Sequence, residues 1–111
     1  MLFEVLKSKI HMGKITEINK EYEGSITIDE RLALKADILP YEKVLVSDVE
    51  NGNRFETYVI YGKKGEICVN GAAANLVKVG DRVIIMSFAL TPDRNLTPKI
   101  IKVDENNNII E

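Results

Sequence analysis

The sequence is short of the residues that cross-link, anchor or metallate a chain. Cys68 is the only cysteine, so no intrachain disulfide can form. Its neighbours Ile67 and Val69 make it, on a first reading, a small buried hydrophobe. His11 is the only histidine. With it, one cysteine and scattered carboxylates give none of the ligand spacings that metals use. No run approaches the roughly 18 apolar residues of a membrane-spanning helix. The opening residues Met1 to Lys7 are broken by charge at Glu4 and Lys7 and lack the apolar centre of a signal peptide. A soluble, cytoplasmic protein with no membrane partner is therefore predicted. An excess of one charge is missing too. Fifteen basic and 17 acidic residues give a net charge of −2, which weighs against a nucleic-acid partner. Gly62-Lys63-Lys64-Gly65 has neither the P-loop nor the dinucleotide-binding spacing.

What is present suffices for one core. The chain has 111 residues and 45% apolar composition, with no repeat, low-complexity run or linker, so residues 1–111 are read as a single domain. Strands are predicted over 2–6, 13–19, 26–28, 43–50, 54–61, 66–69, 82–90 and 99–103. Asp29 reads as the N-cap of a short helix, Glu30 to Ala36, with Leu32 and Leu34 offered to the core. Asn51-Gly52 predicts a two-residue type I′ hairpin. Ala72 to Ala74 suggests a second helical turn. Arg82 to Leu90 is nearly continuous in apolar residues and predicts a strand buried on both faces. Short strands with turns every ~8–12 residues point to an all-β barrel or sandwich.

Several side chains could carry chemistry. Lys9 and His11 share a face if their segment is extended. Arg54, Glu56, Tyr58 and Ile60 share a face of one strand, and Thr57 faces the other way. Arg offers a planar fork to a carboxylate, and Tyr can hold or give a proton. Each has an ordinary reading as well: a solvated Arg54 or Lys9, a packed Tyr58, a structural His11, and turns at Gly24-Ser25 and Asn70-Gly71. Ser25 lacks the G-x-S-x-G setting of a nucleophile elbow.

Five segments in fixed order change the weight of these residues. They are Lys9-Ile10-His11, Tyr22-Glu23-Gly24-Ser25-Ile26-Thr27-Ile28-Asp29, Asn51-Gly52 with Arg54 to Tyr58, Asn70-Gly71-Ala72-Ala73-Ala74, and Val79-Gly80-Asp81 with the strand after it. Together they resemble the pyruvoyl-dependent L-aspartate α-decarboxylases of pantothenate synthesis, over about Lys9 to Phe88. The resemblance implies a double-psi β-barrel with one or two short helices, assembled as a homotetramer with sites between subunits. It implies an inactive precursor that cleaves itself between Gly24 and Ser25 into a 1–24 β chain and a 25–111 α chain. The cofactor would be a pyruvoyl group derived from Ser25, with no metal and no pyridoxal phosphate. That ketone would hold L-aspartate as a Schiff base while carbon dioxide leaves and β-alanine forms. Carried over by residue, Tyr58 would donate the proton, and Arg54 and Lys9 would bind substrate carboxylate. Thr57 would contact substrate and assist cleavage. Gly71, Ala72 and Ala73 would supply backbone contacts, and Asn70 would orient their loop. His11 and Tyr22 would line the site. The competing readings are the same mechanism on another acidic amino acid, and a non-catalytic β-barrel binding module.

Overall fold

The computed structural model describes residues 1–110. Eight strands run in chain order: β1 (Phe3–Lys14), β2 (Glu17–Asn19), β3 (Ser25–Asp29), β4 (Lys43–Asp48), β5 (Arg54–Gly62), β6 (Ile67–Asn70), β7 (Arg82–Thr91) and β8 (Lys99–Lys102). A short helix α1 (Glu30–Lys35) follows β3, and a 3-10 turn (Gly71–Leu76) follows β6. The hydrogen-bonded order is β2-β6-β3-β5-β4-β7-β1-β8. That order forces closure. Six strand spacings separate β1 from β2, roughly 29 Å in a flat sheet. Lys14 and Glu17 are joined by only two residues, which reach about 11 Å. The sheet must therefore curl until its ends meet. The joining residues complete the seam: Thr16 N–H donates to the Ile67 carbonyl at 2.8 Å and Ile15 N–H to the Asp81 carbonyl at 2.9 Å. The all-β fold is thus a barrel. Its parallel pairs β3·β5, β2·β6 and β1·β8 within an otherwise antiparallel sheet agree with the expected double-psi arrangement.

The barrel is filled by alternate residues. Ile10, Ile26, Ile28, Val46, Val59, Ile67, Val69, Val83 and Ile85 are fully enclosed. Each contributes roughly 1.5–3 kcal/mol by leaving water. Helix α1 adds Leu32 and Ala33 to the core, and Asp29 caps it as predicted: its Oδ1 accepts from Arg31 N–H at 2.8 Å.

Four expectations need correction. The separate strands over 2–6 and 13–19 are largely one long β1, followed by a three-residue β2. Register shifts between Leu6 and Ser8 and between Ile10 and Gly13 put extra residues into β1 and break its alternation. Leu34 is 60% exposed. It lies about 200° around the helix from buried Leu32, and α1 is too short to be covered on two sides. The type I′ turn is absent. Of Asn51 and Gly52 only Gly52 takes a positive φ, 77°, and its N–H donates to the Asp48 carbonyl at 2.8 Å, which makes a longer loop. Finally, β7 is enclosed on one face only, through Val83, Ile85 and Ser87, while Phe88 and Leu90 stand exposed on the other. Pairing with β1 and β4 fixes which face turns inward.

The long loop buries an acid. Asp48 is 2% exposed, and its Oδ2 meets no donor among the described residues. Burial, followed by the adjoining Asp81 carboxylate, pushes its carboxyl up to about 6. A folded-state value above the unfolded one means that the fold favours the protonated form. This contribution to stability is complete below about pH 4 and is lost as pH rises through about 6. Asp48→Asn, neutral and able to donate to Asp81, is expected to raise stability at pH 7 by on the order of 2 kcal/mol. It should also flatten the decline between pH 4 and 6. Denaturant titrations across that range check this; parallel curves for the two proteins would exclude it.

Candidate active site

The site is organised by β3, which begins at Ser25 between β5 and β6. Ser25 pairs with Asn70 and Thr27 with Cys68 in the antiparallel register, while Ile26 pairs with Val59 in the parallel one. Ile26, Val59 and Val69 face the core. Their chain neighbours Ser25, Thr27, Cys68, Asn70, Tyr58 and Ile60 therefore share the opposite face. There a shallow cavity of about 190 Å³ is lined by residues that include Asn19, Tyr22, Thr27, Ile60, Cys68 and Asn70.

A buried polar chain runs across this face. Asn70 Nδ2 donates to Ser25 Oγ at 2.9 Å and to Thr27 Oγ1 at 3.0 Å, and Cys68 Sγ donates to Asn70 Oδ1 at 3.3 Å. Ser25 is 2% exposed and Asn70 4%. Burial, with smaller effects from Glu17 and Glu66, pushes the Cys68 thiol up to about 11, so it remains a protonated donor. Among the described residues nothing accepts the Ser25 hydroxyl proton, which leaves that hydroxyl free to turn toward its own backbone. Asn70 was expected to orient the loop after it. Instead it makes no side-chain cap to the 3-10 turn, and its amide is engaged by Ser25 and Thr27.

Gly24 differs sharply from Ser25. It is exposed, and a Cβ there would meet nothing within 4 Å. Gly71 is its support. Gly71 has φ +80°, and a Cβ on it would come within 2.7 Å of Gly24 Cα, 3.0 Å of Gly24 N and 3.3 Å of the Tyr22 carbonyl oxygen. Backbone thus lies on backbone beside the Gly24–Ser25 bond. Ala72 is exposed and Ala73 half-buried on the turn that follows. Asn51 and Asn53 Nδ2 donate to the Leu76 carbonyl at 3.1 and 2.9 Å, tying that turn to the loop that leads into Arg54.

Arg54 and Tyr58 occupy the exposed face of β5, and Thr57 is half-buried on the other, as the alternation predicted. Two residues upstream of the Ile26–Val59 pair, the parallel strands carry Gly24 and Thr57; one upstream, they carry Ser25 and Tyr58. Thr57 thus belongs with the carbonyl side of the bond and Tyr58 with the serine side. The Tyr58 ring lies 6.3 Å from that of Tyr41. Tyr22 is exposed at the rim of the cavity.

Lys9 and His11 are not brought here. Both are half-buried on β1, where Lys9 pairs with Met86 and Ile100, and His11 with Lys102. They sit on another wall of the barrel. Thr27 and Cys68 are site-facing residues that the sequence reading missed. Alternation from Ser25 could have found Thr27. Cys68 required the register of β6.

A family model described as Aspartate decarboxylase matches residues 1–110. The match exceeds the Lys9–Phe88 span expected from motifs on both sides. Among curated relatives, the aspartate 1-decarboxylase of Caldicellulosiruptor saccharolyticus is 58% identical, over 100% of this chain and 91% of its own. That of Clostridium botulinum (strain 657) is 55% identical over 98% and 90%. That of Campylobacter hominis is 51% identical over the full length of both chains. With the family model matching residues 1–110 and more than half of the aligned residues identical in each of these relatives, this chain belongs to the aspartate decarboxylase family.

Proposed function

We propose that this chain decarboxylates L-aspartate to β-alanine for pantothenate and coenzyme A synthesis in the cytoplasm, through a pyruvoyl group made from its own Ser25. The observation that carries the proposal is the contrast across one peptide bond. Ser25 is buried with its Oγ held by Asn70 at 2.9 Å, and Gly24 is exposed and uncrowded.

The residues present suit self-cleavage there. Ser25 Oγ attacks the Gly24 carbonyl carbon, the C–N bond breaks, and the proton passes to the freed nitrogen. An ester now joins Gly24 to the Ser25 side chain. Elimination then removes the Ser25 Cα proton to solvent, forms the Cα=Cβ double bond, breaks the Cβ–Oγ bond and releases the Gly24 carboxylate as the end of 1–24. Water then replaces the nitrogen of the remaining dehydroalanine, and ammonia leaves. Water is the only co-reactant. Pairing of β3 with both β5 and β6 supports a fixed position 25 after cleavage, because the strand remains held on two sides.

The ketone so formed supplies an electrophile for the substrate amine and a sink for the electron pair as carbon dioxide departs. Arg54 presents its guanidinium fork to a substrate carboxylate. Tyr58 holds the proton that replaces carbon dioxide. Gly71, Ala72 and Ala73 offer backbone groups at the edge of the site. Lys9 and His11 reach the site from another copy of the chain, because their own wall is separate from that of Ser25. This favours a homotetramer with shared sites.

Intact-mass measurement of the full-length protein under denaturing conditions tests the reading. Fragments 1–24 and 25–111 are expected, the larger reactive toward ketone reagents. A continuous chain in preparations that decarboxylate aspartate would overturn it. Assays with glutamate beside aspartate separate the narrower substrate from the wider class. Tyr58→Phe is expected to mature normally and to lose 10²-fold or more in kcat, the scale of general acid catalysis. Near-normal turnover would assign the proton to another group.

A further inference from the structure

We infer that Cys68 is a positioning residue for maturation: its S–H orients the Asn70 amide so that N–H, and not C=O, meets Ser25 Oγ. The inference rests on the self-cleavage proposed above and adds a step-specific role within it.

A side-chain amide is nearly symmetric, and a half-turn exchanges its donor and acceptor ends. One end of the Asn70 amide faces Ser25 Oγ at 2.9 Å and Thr27 Oγ1 at 3.0 Å. Hydroxyls donate as readily as they accept, so these two partners tolerate either orientation. The other end faces Cys68 Sγ at 3.3 Å. That contact is selective. A thiol donates to the carbonyl oxygen, whereas the reversed amide would set N–H against a weak acceptor. Ser25, Cys68 and Asn70 are all at most 4% exposed, so a mismatched polar pair among them carries a desolvation cost. The thiol thus decides an orientation that the hydroxyls leave open.

The orientation matters for elimination more than for attack. When the Cβ–Oγ bond breaks, Oγ becomes an oxygen of the departing Gly24 carboxylate. An N–H aimed at that oxygen stabilises the charge it gains. A carbonyl in its place would repel it. During attack, by contrast, a carbonyl there could accept the hydroxyl proton. Loss of the thiol should therefore stall the reaction after the ester has formed.

The experiment follows maturation of freshly made full-length protein by intact mass, with and without hydroxylamine. Hydroxylamine splits the ester and leaves 25–111 with a serine N-terminus in place of the ketone. Cys68→Ala is expected to mature at least tenfold more slowly and to accumulate the hydroxylamine-sensitive ester. Cys68→Ser, which restores a donor, is expected to recover most of the rate. If Cys68→Ala fails to fold, Cys68→Val, similar in volume and without a donor, is judged by the same criteria. A donorless variant that matures at the wild-type rate overturns the inference. So does a Cys68→Ser as slow as the donorless variant, or slowing with no ester, since both indicate packing alone. A wild-type chain that never cleaves would instead sink the self-cleavage reading, and this role with it.

Discussion

Replacing Ser25 by alanine is expected to leave one continuous 111-residue chain with no decarboxylase activity. The substitution removes the nucleophile and the atoms from which the ketone would be made, so no slower route remains. Folding should survive. Ser25 is small and enclosed, and Asn70 Nδ2 keeps Thr27 Oγ1 as an acceptor at 3.0 Å. The lost hydrogen bond costs roughly 1 kcal/mol. Intact mass, an aspartate assay and a thermal melt on one preparation check all three statements. A Ser25→Ala chain that still splits after Gly24, or an uncleaved one that turns over aspartate, would rule out the proposed chemistry.

Gly71→Ala should block maturation by a different route. Its φ of +80° suits glycine, and an L side chain there costs roughly 1 kcal/mol in backbone strain. The larger obstacle is steric. The new Cβ would sit 2.7 Å from Gly24 Cα, and that atom is backbone that cannot swing aside. The scissile segment must move off its support, which displaces the Gly24 carbonyl from its place beside Ser25 Oγ. Cleavage is expected to slow at least 100-fold, in keeping with the sensitivity of such reactions to misplacement on the order of 1 Å. The melting temperature should drop by several degrees. Gly52→Ala is the matched control. Gly52 also has a positive φ, 77°, but nothing lies within 4 Å of a Cβ there. It should show the loss of stability while cleavage continues. Equal maturation rates for the two variants would mean that Gly71 acts through strain alone.

The parts of this protein legible in its sequence are those governed by near neighbours. Strand alternation placed Arg54 and Tyr58 on one face and Thr57 on the other, and the burial pattern of β5 agrees. Asp29 announced the helix because a carboxylate reaching an N–H two residues on is a local event. The ordered motifs revealed the family, since their spacing is a property of the chain alone. The errors share one cause. Whether β1 breaks or bulges depends on pairing with β7 along its length. Whether Leu34 or Leu32 turns inward depends on what α1 meets, and which side of β7 is covered depends on its neighbours in the barrel.

The same division runs through the site. The sequence by itself determined that a Gly-Ser bond opens a strand, with an arginine and a tyrosine on one shared face of a later one. Only the tertiary structure decided what lies against that bond. Asn70 is 45 residues from Ser25, and Gly71 is farther still from Gly24 in the chain. Local preferences act over a few residues, whereas the β3–β6 register is set by the core that Ile26, Ile28, Ile67 and Val69 fill together. A one-residue slip would turn Ser25, Asn70 and Cys68 to opposite faces and dissolve the polar chain. Barrel packing is therefore what turns an ordinary turn sequence at Gly24-Ser25 into a buried hydroxyl beside an open glycine.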